Sequence, residues 1–280
     1  SSLPTSTGFS SVMENVGKTQ NRGIELTLST NWIKTRNFNW VTDWTYAKNK
    51  EKIVALNNGV TRNEANCWFV GKPTSVFYDY KKIGIWQLGQ EDAATKFGGF
   101  KPGDIKVADV NKDGVYDTDD RVVYSRVPKF IFGINNTLTY KDFDLSCFVY
   151  GRIGQYIKYE YNLLYKPSAL ENSAPVNYWT PENPSNDFPR PNSSYSTTNY
   201  LLQSCLAYVK SSYVKIRDIT LGYTLPSSIS KKVDLQKLRV YITMNNYFTF
   251  CNLHHYDPEN SGSMSFPLAK QLVFGLNIDL

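Results

Sequence analysis

The chain contains seven stretches in which apolar and polar residues alternate, and in nearly all of them the apolar residues share one face. The C-terminal stretch is the most regular, with Leu272, Phe274, Leu276, Ile278 and Leu280 at every second position. This period is typical of a strand with one apolar face. Because a tilted strand of about 10 residues crosses a bilayer and its lipid-facing residues alternate with lumen-facing ones, the pattern predicts the wall of a transmembrane β-barrel.

The fold class predicted from these stretches is all-β, with strands that are antiparallel and cross the membrane. Short connections at 35–37 and 141–142 are typical of tight hairpins, and 226–236 forms a longer joint that suits a short helical turn. The predicted membrane-crossing strands lie at about 22–34, 38–50, 130–140, 143–155, 210–225, 237–248 and 269–280.

Three long stretches separate the strand pairs, at about 51–129, 159–208 and 249–269. They are rich in Pro, Asn, Ser, Gly and aromatic residues. Outer-membrane barrels have short periplasmic turns and long extracellular loops, so we expect these three stretches to be extracellular. Connections of this length are usually functional when they occur in a compact fold.

An odd number of crossings does not close a bacterial single-chain barrel, and an open sheet edge is not tolerated in lipid. We therefore expect residues 1–280 to be the C-terminal part of one β-barrel domain. The remaining strands belong to an N-terminal portion, and the break between the portions falls near residues 1–20. A break in the chain at an exposed loop is expected, because loop tips are preferred sites of proteolytic cleavage.

Composition is compatible with this interpretation. Aromatic residues make up 15% of the chain, and the mean hydropathy of −0.41 suits strands in which only alternate residues meet lipid. The net charge of +6 is spread along the chain, which argues against a nucleic-acid partner.

Four separated cysteines show no zinc-binding spacing, and whether any of them pair stays open. A soluble β-sandwich is the alternative that the pattern leaves open.

One segment carries the ligand spacing of a calcium loop. Oxygen-bearing side chains occupy positions 1, 3, 5, 9 and 12 of an EF-hand-type loop, glycine occupies position 6, and position 7 offers a backbone carbonyl. The predicted ligands are Asp109, Asn111, Asp113, Val115, Asp117 and Asp120. Many protein oxygens favour Ca²⁺ over Mg²⁺, and the expected role is to brace the 51–129 loop. Position 12 is Asp rather than Glu, and an acidic turn that binds nothing is the alternative.

Other candidate residues are weaker. Aromatic residues in the long stretches could stack on a substrate or pack the loops together; they are Trp86, Trp179, Tyr195 and Tyr256. The adjacent His254 and His255 lack a ligand pattern and are expected at the surface. No GxSxG, HExxH or phosphate-binding glycine motif is present, so no enzymatic activity is expected.

With these elements in place, the chain resembles the C-terminal barrel part of SusC/RagA-type TonB-dependent outer-membrane transporters. The resemblance covers most of the chain and rests on the order and spacing of several motifs. They are NRGIEL at 21–26, FYDY at 77–80, GIWQ at 84–87, GDIK at 103–106, DVNKDG at 109–114, PKFIFG at 128–133, WTPEN at 179–183, VKIRDITLGYTLP at 214–226, LRVY at 238–241 and FGLN at 274–277.

The resemblance implies a roughly 22-stranded barrel around an N-terminal plug. It also implies energy supplied through TonB, a SusD-like surface lipoprotein as a lid, and import of oligosaccharides or peptides across the outer membrane of a Gram-negative bacterium. The plug and the TonB box have no counterpart in residues 1–280, and Leu280 stands where many such barrels end on Phe. The alternative function is that of a soluble, secreted, calcium-binding module that recognises glycans.

Overall fold

The computed structural model describes residues 6, 8, 17–168, 172–192, 202–230, 232, 234–265 and 268–279. Strands dominate. In chain order they are β1 Gly17–Lys34, β2 Phe38–Leu56, β3 Arg62–Asn63, β4 Trp68–Phe69, β5 Val76–Tyr80, β6 Lys82–Ile85, β7 Ile105–Val107, β8 Arg121–Ser125, β9 Phe130–Tyr140, β10 Phe143–Lys158, β11 Tyr208–Thr224, β12 Lys237–Cys251 and β13 Gln271–Asp279. The α-helices are α1, Glu91–Gly98, and α2, Ser227–Ser230.

Seven of these strands form one antiparallel sheet in the order β1-β2-β9-β10-β11-β12-β13. They are the seven predicted strands. The bounds of β9 agree with the prediction, whereas β1, β2, β10 and β12 are longer than predicted. Strand β2 continues to Leu56 because buried Ile53 exchanges backbone hydrogen bonds with Gly71 and Lys72 of the following loop.

The two short hairpin connections form as predicted. At 35–37, the backbone N–H of Thr35 donates to the carbonyl of Phe38 at 2.8 Å, and the Thr35 hydroxyl donates to the same oxygen. At 141–142, Lys141 adopts a left-handed φ of 52°, which a two-residue hairpin requires. The predicted helical joint at 226–236 contains α2.

One face of the sheet presents continuous apolar rows. Residues paired directly across the strands share a face, so the register gives each row. One row is Trp40, Leu138, Leu145, Leu221, Ile242 and Phe274. Another is Leu28, Trp44, Ile134, Val149, Ile216 and Phe248. Many of these side chains are exposed, with Leu28 at 61% and Phe274 at 73%. We call this surface the outer face.

The opposite, inner face is mostly polar. One row crosses the whole sheet through Ser29, Asp43, Asn135, Phe148, Asp218, Asn245 and Gln271. Within it the Ser29 hydroxyl donates to a carboxylate oxygen of Asp43 at 2.7 Å. Opposite polarity on the two faces is the arrangement expected of a barrel wall between hydrocarbon and an aqueous lumen.

Some polar side chains lie on the outer face, and indole groups satisfy two of them, Thr42 and Asn136. The Asn136 carbonyl oxygen accepts from the Thr42 hydroxyl at 2.8 Å and from Trp40 Nε1 at 3.2 Å. The Thr42 oxygen accepts in turn from Trp32 Nε1 at 3.0 Å, and Thr42 is only 1% exposed. The Trp rings therefore satisfy Thr42 and Asn136 on an apolar surface. The hydroxyl of Thr30, directly across from Thr42, is buried without a hydrogen bond from the described residues.

The hydrophobic core lies outside the large sheet. Its members come from two of the three long stretches, 51–129 and 159–208, which therefore bury a core of their own. Its buried residues are Tyr80, Ile85, Trp86, Ala94, Phe97, Phe100, Ile105, Val107, Trp179, Leu202, Cys205 and Leu206. Helix α1 contributes Ala94 and Phe97 and is followed by Gly99, whose φ of 73° forms the left-handed C-cap. We call this unit the loop core.

Two-stranded sheets frame the loop core. Strand β5 pairs with β8, β6 pairs with β7, and β3 pairs with β4. Aromatic rings link the unit to the wall, since Phe77 and Tyr124 both lie close to Tyr208 at the start of β11. Within the described ranges, no helix is long and apolar enough to cross a membrane. All four cysteines are free thiols.

Replacing Phe100 with Ala is expected to open the loop core and leave the wall intact. Phe100 is 2% exposed and lies beside the rings of Phe97 and Tyr116, so truncation should cost about 3–5 kcal/mol of local stability. Limited proteolysis should cut the 57–129 segment faster, whereas Leu88→Ala, at a site 59% exposed, should behave as wild type. Equal cleavage of both variants would contradict a cooperative loop core.

Candidate functional site

The oxygen-rich loop predicted from sequence lies between β7 and β8, against the loop core. Asp120, at its last position, is fully buried. Its carboxylate accepts from the backbone N–H of Val110 at 2.6 Å and from that of Asp117 at 3.4 Å. The Asp117 side chain accepts from the N–H of Asp119. Asp117 and Asp120 together form a capping box around the short turn Thr118–Asp120. Asp120 thereby joins the start of the loop to its end.

The first half of the loop is curled around its acidic side chains. Asp109 accepts from the backbone N–H groups of Lys112 at 2.6 Å and Gly114 at 3.0 Å. Asp113 accepts from the N–H of Val115 at 2.8 Å. Lys112 and Gly114 have positive φ values of 64° and 80°, which produce the sharp turn. Glycine suits the second of these positions because it has no Cβ.

The donor chemistry of this loop suits a hard divalent cation, since every predicted ligand is an oxygen. Among the described residues, however, no group of three or more His, Cys, Asp or Glu side chains is gathered so that it could hold a metal ion. Two predicted donors, the Asn111 side-chain amide and the Val115 backbone carbonyl, are not among those four residue types. Several carboxylate oxygens instead accept hydrogen bonds from the loop's own backbone.

The predicted substrate-contacting tryptophans lie in the loop core, where each is 5% exposed. Trp179 Nε1 donates to the Gln87 side-chain oxygen at 2.8 Å. The Trp86 ring lies beside that of Phe97. The Lys106 ammonium lies over the Trp86 ring, 4.2 Å from its centroid, in a cation–π contact. Burial leaves neither ring a free face for stacking on a substrate, so the structure favours the packing role that the sequence also allowed.

Of the remaining aromatic candidates, Tyr256 is half-buried, with its ring 6.2 Å from that of Tyr161. Tyr195 lies outside the described residues. His254 and His255 are both exposed, as expected, and the His255 ring stacks on Tyr161 at 3.8 Å. Of the three candidates that the structure describes, Trp86 and Trp179 are buried in the loop core and Tyr256 lies apart from them, so these three do not form one stacking surface.

Sequence reasoning missed a charged cluster on the inner face. The Lys215 side chain on β11 is fully buried, and its ammonium donates to Asp257 at 2.6 Å and to Glu259 at 3.1 Å. Glu259 also pairs with Arg217. Both acids belong to the 252–270 segment, which is thereby tied to the wall. The only sequence signal is a pair of cations at positions 215 and 217 of a strand, and it does not reveal which distant acids reach them.

This cluster borders a polar cleft of about 430 Å³. Strand residues Arg217, Asp218, Asn245 and Gln271 form one side, and Glu259 forms part of the other. Charged groups and carboxamides can hydrogen-bond to either sugar hydroxyls or peptide groups. The cleft is thus a polar surface without a feature that selects between them.

Titration behaviour gives no indication of a catalytic group in the loop core. Burial, followed by the charge of Asp79, raises the pKa of the Cys205 thiol to about 12. A thiol in this state is neutral at pH 7 and is a poor nucleophile. Burial also raises the pKa of the Tyr116 phenol above its usual range. Burial lowers the pKa of Lys82, whose ammonium donates to the Asn186 carbonyl at 2.7 Å.

Comparison with known proteins places this geometry in a family. No protein-family model matches the chain. TonB-dependent receptor P3 of Formosa agariphila is 33% identical over 275 residues, which cover 92% of this chain and 27% of the receptor. TonB-dependent receptor SusC of Bacteroides thetaiotaomicron is 24% identical over 311 residues, covering 99% of this chain and 28% of SusC.

Among solved structures, the RagAB peptide transporter superimposes with a TM-score of 0.74 at 21% identity, covering 99% of this chain and 31% of the transporter chain. That match shows the fold. The chain spans less than a third of the length of each relative. Its sheet, with an apolar outer face and a polar inner face, is a portion of a transmembrane β-barrel, and the chain belongs to the TonB-dependent receptors.

Proposed function

We propose that this chain is the C-terminal part of a TonB-dependent importer in the outer membrane of a Gram-negative bacterium. The observation that carries the proposal is the exposed apolar outer face opposite a polar, charged inner face. Exposed apolar rows of this extent would be costly in water but are solvated in hydrocarbon. They therefore weigh against the soluble glycan-binding module.

The two sheet edges support a shared barrel. Strands β1 and β13 are each hydrogen-bonded on one side within the sheet. Since an unpaired edge in hydrocarbon leaves backbone groups without partners, further strands close the wall. We assign those strands, the plug and the TonB contact to an N-terminal remainder of the same protein. The chain itself performs no catalysis in this proposal.

The loop core is the structured part of the extracellular surface in this proposal. It packs on the wall through Phe77, Tyr124 and Tyr208, so it provides a firm surface for a SusD-like lipoprotein lid. Oligosaccharides or peptides captured beneath the lid then pass the polar groups of the inner face. The cleft beside Arg217 and Asp218 is one surface that such a substrate contacts.

The oxygen-rich loop is proposed to bind Ca²⁺ as a structural ion. Asp109, Asn111, Asp113, Val115, Asp117 and Asp120 would hold it. The support for this is the in-register donor set and the curled backbone, whose Gly114 and Val115 N–H groups donate to Asp109 and Asp113. A bound cation offsets the charge of the acidic side chains and stabilises the loop against local opening.

The transport proposal predicts energy-dependent uptake by the full-length protein. A strain lacking the gene, complemented with the full-length gene, should deplete either a defined peptide mixture or a defined oligosaccharide mixture from its medium. Deletion of TonB should abolish that depletion, because the plug opens only when energised. The protein should fractionate with the outer membrane. Recovery in the soluble fraction, or TonB-independent depletion, would contradict the proposal.

The calcium proposal predicts metal-dependent protection of the loop. With Ca²⁺ at about 100 times its dissociation constant, binding contributes about 2.7 kcal/mol, so cleavage within 57–129 of the full-length protein should slow about a hundredfold relative to EDTA. The double variant Asp109→Ala, Asp113→Ala should lose the calcium effect. Asp119→Ala, at a non-ligand position of the same loop, should keep it. Wild-type cleavage that is the same in Ca²⁺ and EDTA rules the site out.

A further inference from the structure

A second, cationic cavity lies where the wall meets two of the long loops. It has a volume of about 120 Å³ and is separate from the cleft beside Arg217. Strand β10 contributes Arg152 and Gln155, the segment around β5 and β8 contributes Ser75 and Arg126, and Ser261 comes from the 252–270 segment. The lining contains two guanidinium groups and no carboxylate.

The charges around this cavity do not balance within the described part of the chain. The two acids of the neighbouring inner-face cluster, Asp257 and Glu259, are already paired with Lys215 and Arg217. No described carboxylate lies within ion-pair distance of Arg126 or Arg152. Two guanidinium groups therefore share one cavity without a counter-ion among the described residues.

The cavity also contains buried polar atoms that lack partners in the part of the chain that the structure describes. Gln155 is 2% exposed, and its side-chain oxygen is buried without a hydrogen bond. The Nε atom of Arg152 is buried and unpaired as well. A buried polar group without a partner costs about 1–3 kcal/mol, and more if it is charged. The Arg152 Nε–H is a donor, which an anion satisfies, whereas the Gln155 oxygen is an acceptor, which needs a donor such as water.

Local backbone geometry places these side chains. The register between β10 and β11 is irregular between Arg152 and Gln155, and Gly154 within that irregularity has a φ of 85°. A bulge of this kind redirects the side chains that flank it. On the loop side, the Arg126 guanidinium lies 4.9 Å from the Phe77 ring centroid, which orients it by a cation–π contact.

We propose that this cavity binds a small oxyanion, namely a carboxylate, phosphate or sulfate group. Arg126 and Arg152 supply the charge and planar N–H donors that match oxyanion geometry, and the hydroxyls of the two serines are further donors. A water beside the anion satisfies the Gln155 oxygen. The bound anion bridges β10 to two loops. The cavity has room for several waters, so water alone is the competing occupant. The proposal stands independently of the transport function.

The test is calorimetric titration of the purified full-length protein in detergent with sodium phosphate, sulfate or acetate, at constant ionic strength in chloride. Saturable binding of at least one oxyanion is expected. Arg152→Gln and Arg126→Gln should each raise the Kd about tenfold or more, because each removes a charge-assisted donor. Arg36→Gln, at the exposed hairpin turn 35–37, should leave the Kd unchanged.

A short peptide with a free terminal carboxylate, compared with its amidated form, distinguishes the source of the anion. Arg152-dependent binding of the free form alone identifies a substrate carboxylate, whereas stronger phosphate or sulfate binding identifies an inorganic ion.

Heat-modifiable gel migration checks that each variant forms the barrel. If Arg152→Gln does not assemble, Arg126→Gln at the exposed rim carries the comparison. Absence of saturable binding by every anion, or an unchanged Kd in the assembled Arg variants, overturns the proposal and leaves water as the occupant.

Discussion

The structure depends on the hydrogen-bonding of backbone groups in a sheet whose outer face is solvated by hydrocarbon. In that solvent each N–H and C=O needs a partner from the protein, which only helices or closed sheets provide. The long, in-register pairings from β1 to β13 meet this need along the whole wall except at its two edges. Burial of apolar side chains contributes little to the sheet itself, since its apolar rows are exposed.

This constraint explains why the hydrophobic core lies elsewhere. Residues outside the membrane face water, so the loops bury their own apolar surface in the loop core around Trp86, Phe100 and Trp179. The inner face faces water too and carries charges, with Lys215 and Arg217 matched by Asp257 and Glu259. Removing one member of such a buried group leaves a charge unpaired. The free energy lost in this way is larger than the net stabilisation that the intact pair contributes. The charges therefore hold the 252–270 segment against the wall.

Much of the wall could be predicted from the sequence, because a period of two is a local signal that needs no tertiary information. The bounds of β9 and the hairpin at Lys141 follow from it directly. The continuation of β2 to Leu56 could not be predicted, since it depends on contacts of Ile53 with residues that lie later in the chain. Thr42 and Asn136 likewise violate the apolar pattern locally, and only the three-dimensional position of the Trp32 and Trp40 indoles explains why they are tolerated.

In the candidate sites, too, local features could be predicted from the sequence and tertiary contacts could not. The curl of the 109–120 loop follows from its Asp, Asn and Gly residues, whose short-range hydrogen bonds are encoded locally. The fate of Trp86 and Trp179 could not be predicted, because an aromatic residue in a loop has the same local sequence whether it binds ligand or packs. The pairing of Lys215 with Asp257 and the meeting of Arg126 with Arg152 join segments far apart in the chain.

The most direct test of the account is contact between individual side chains and lipid. The full-length protein, reconstituted with a phospholipid that carries a photoreactive diazirine in its acyl chain, can be irradiated and its adducts located by mass spectrometry. We expect adducts on Leu145, Cys147 and Val149 of β10 and none on the alternating Ser146, Phe148 and Tyr150. Equal labelling of both sets, or labelling of Phe148 and Tyr150 alone, would contradict a wall whose outer face lies in hydrocarbon.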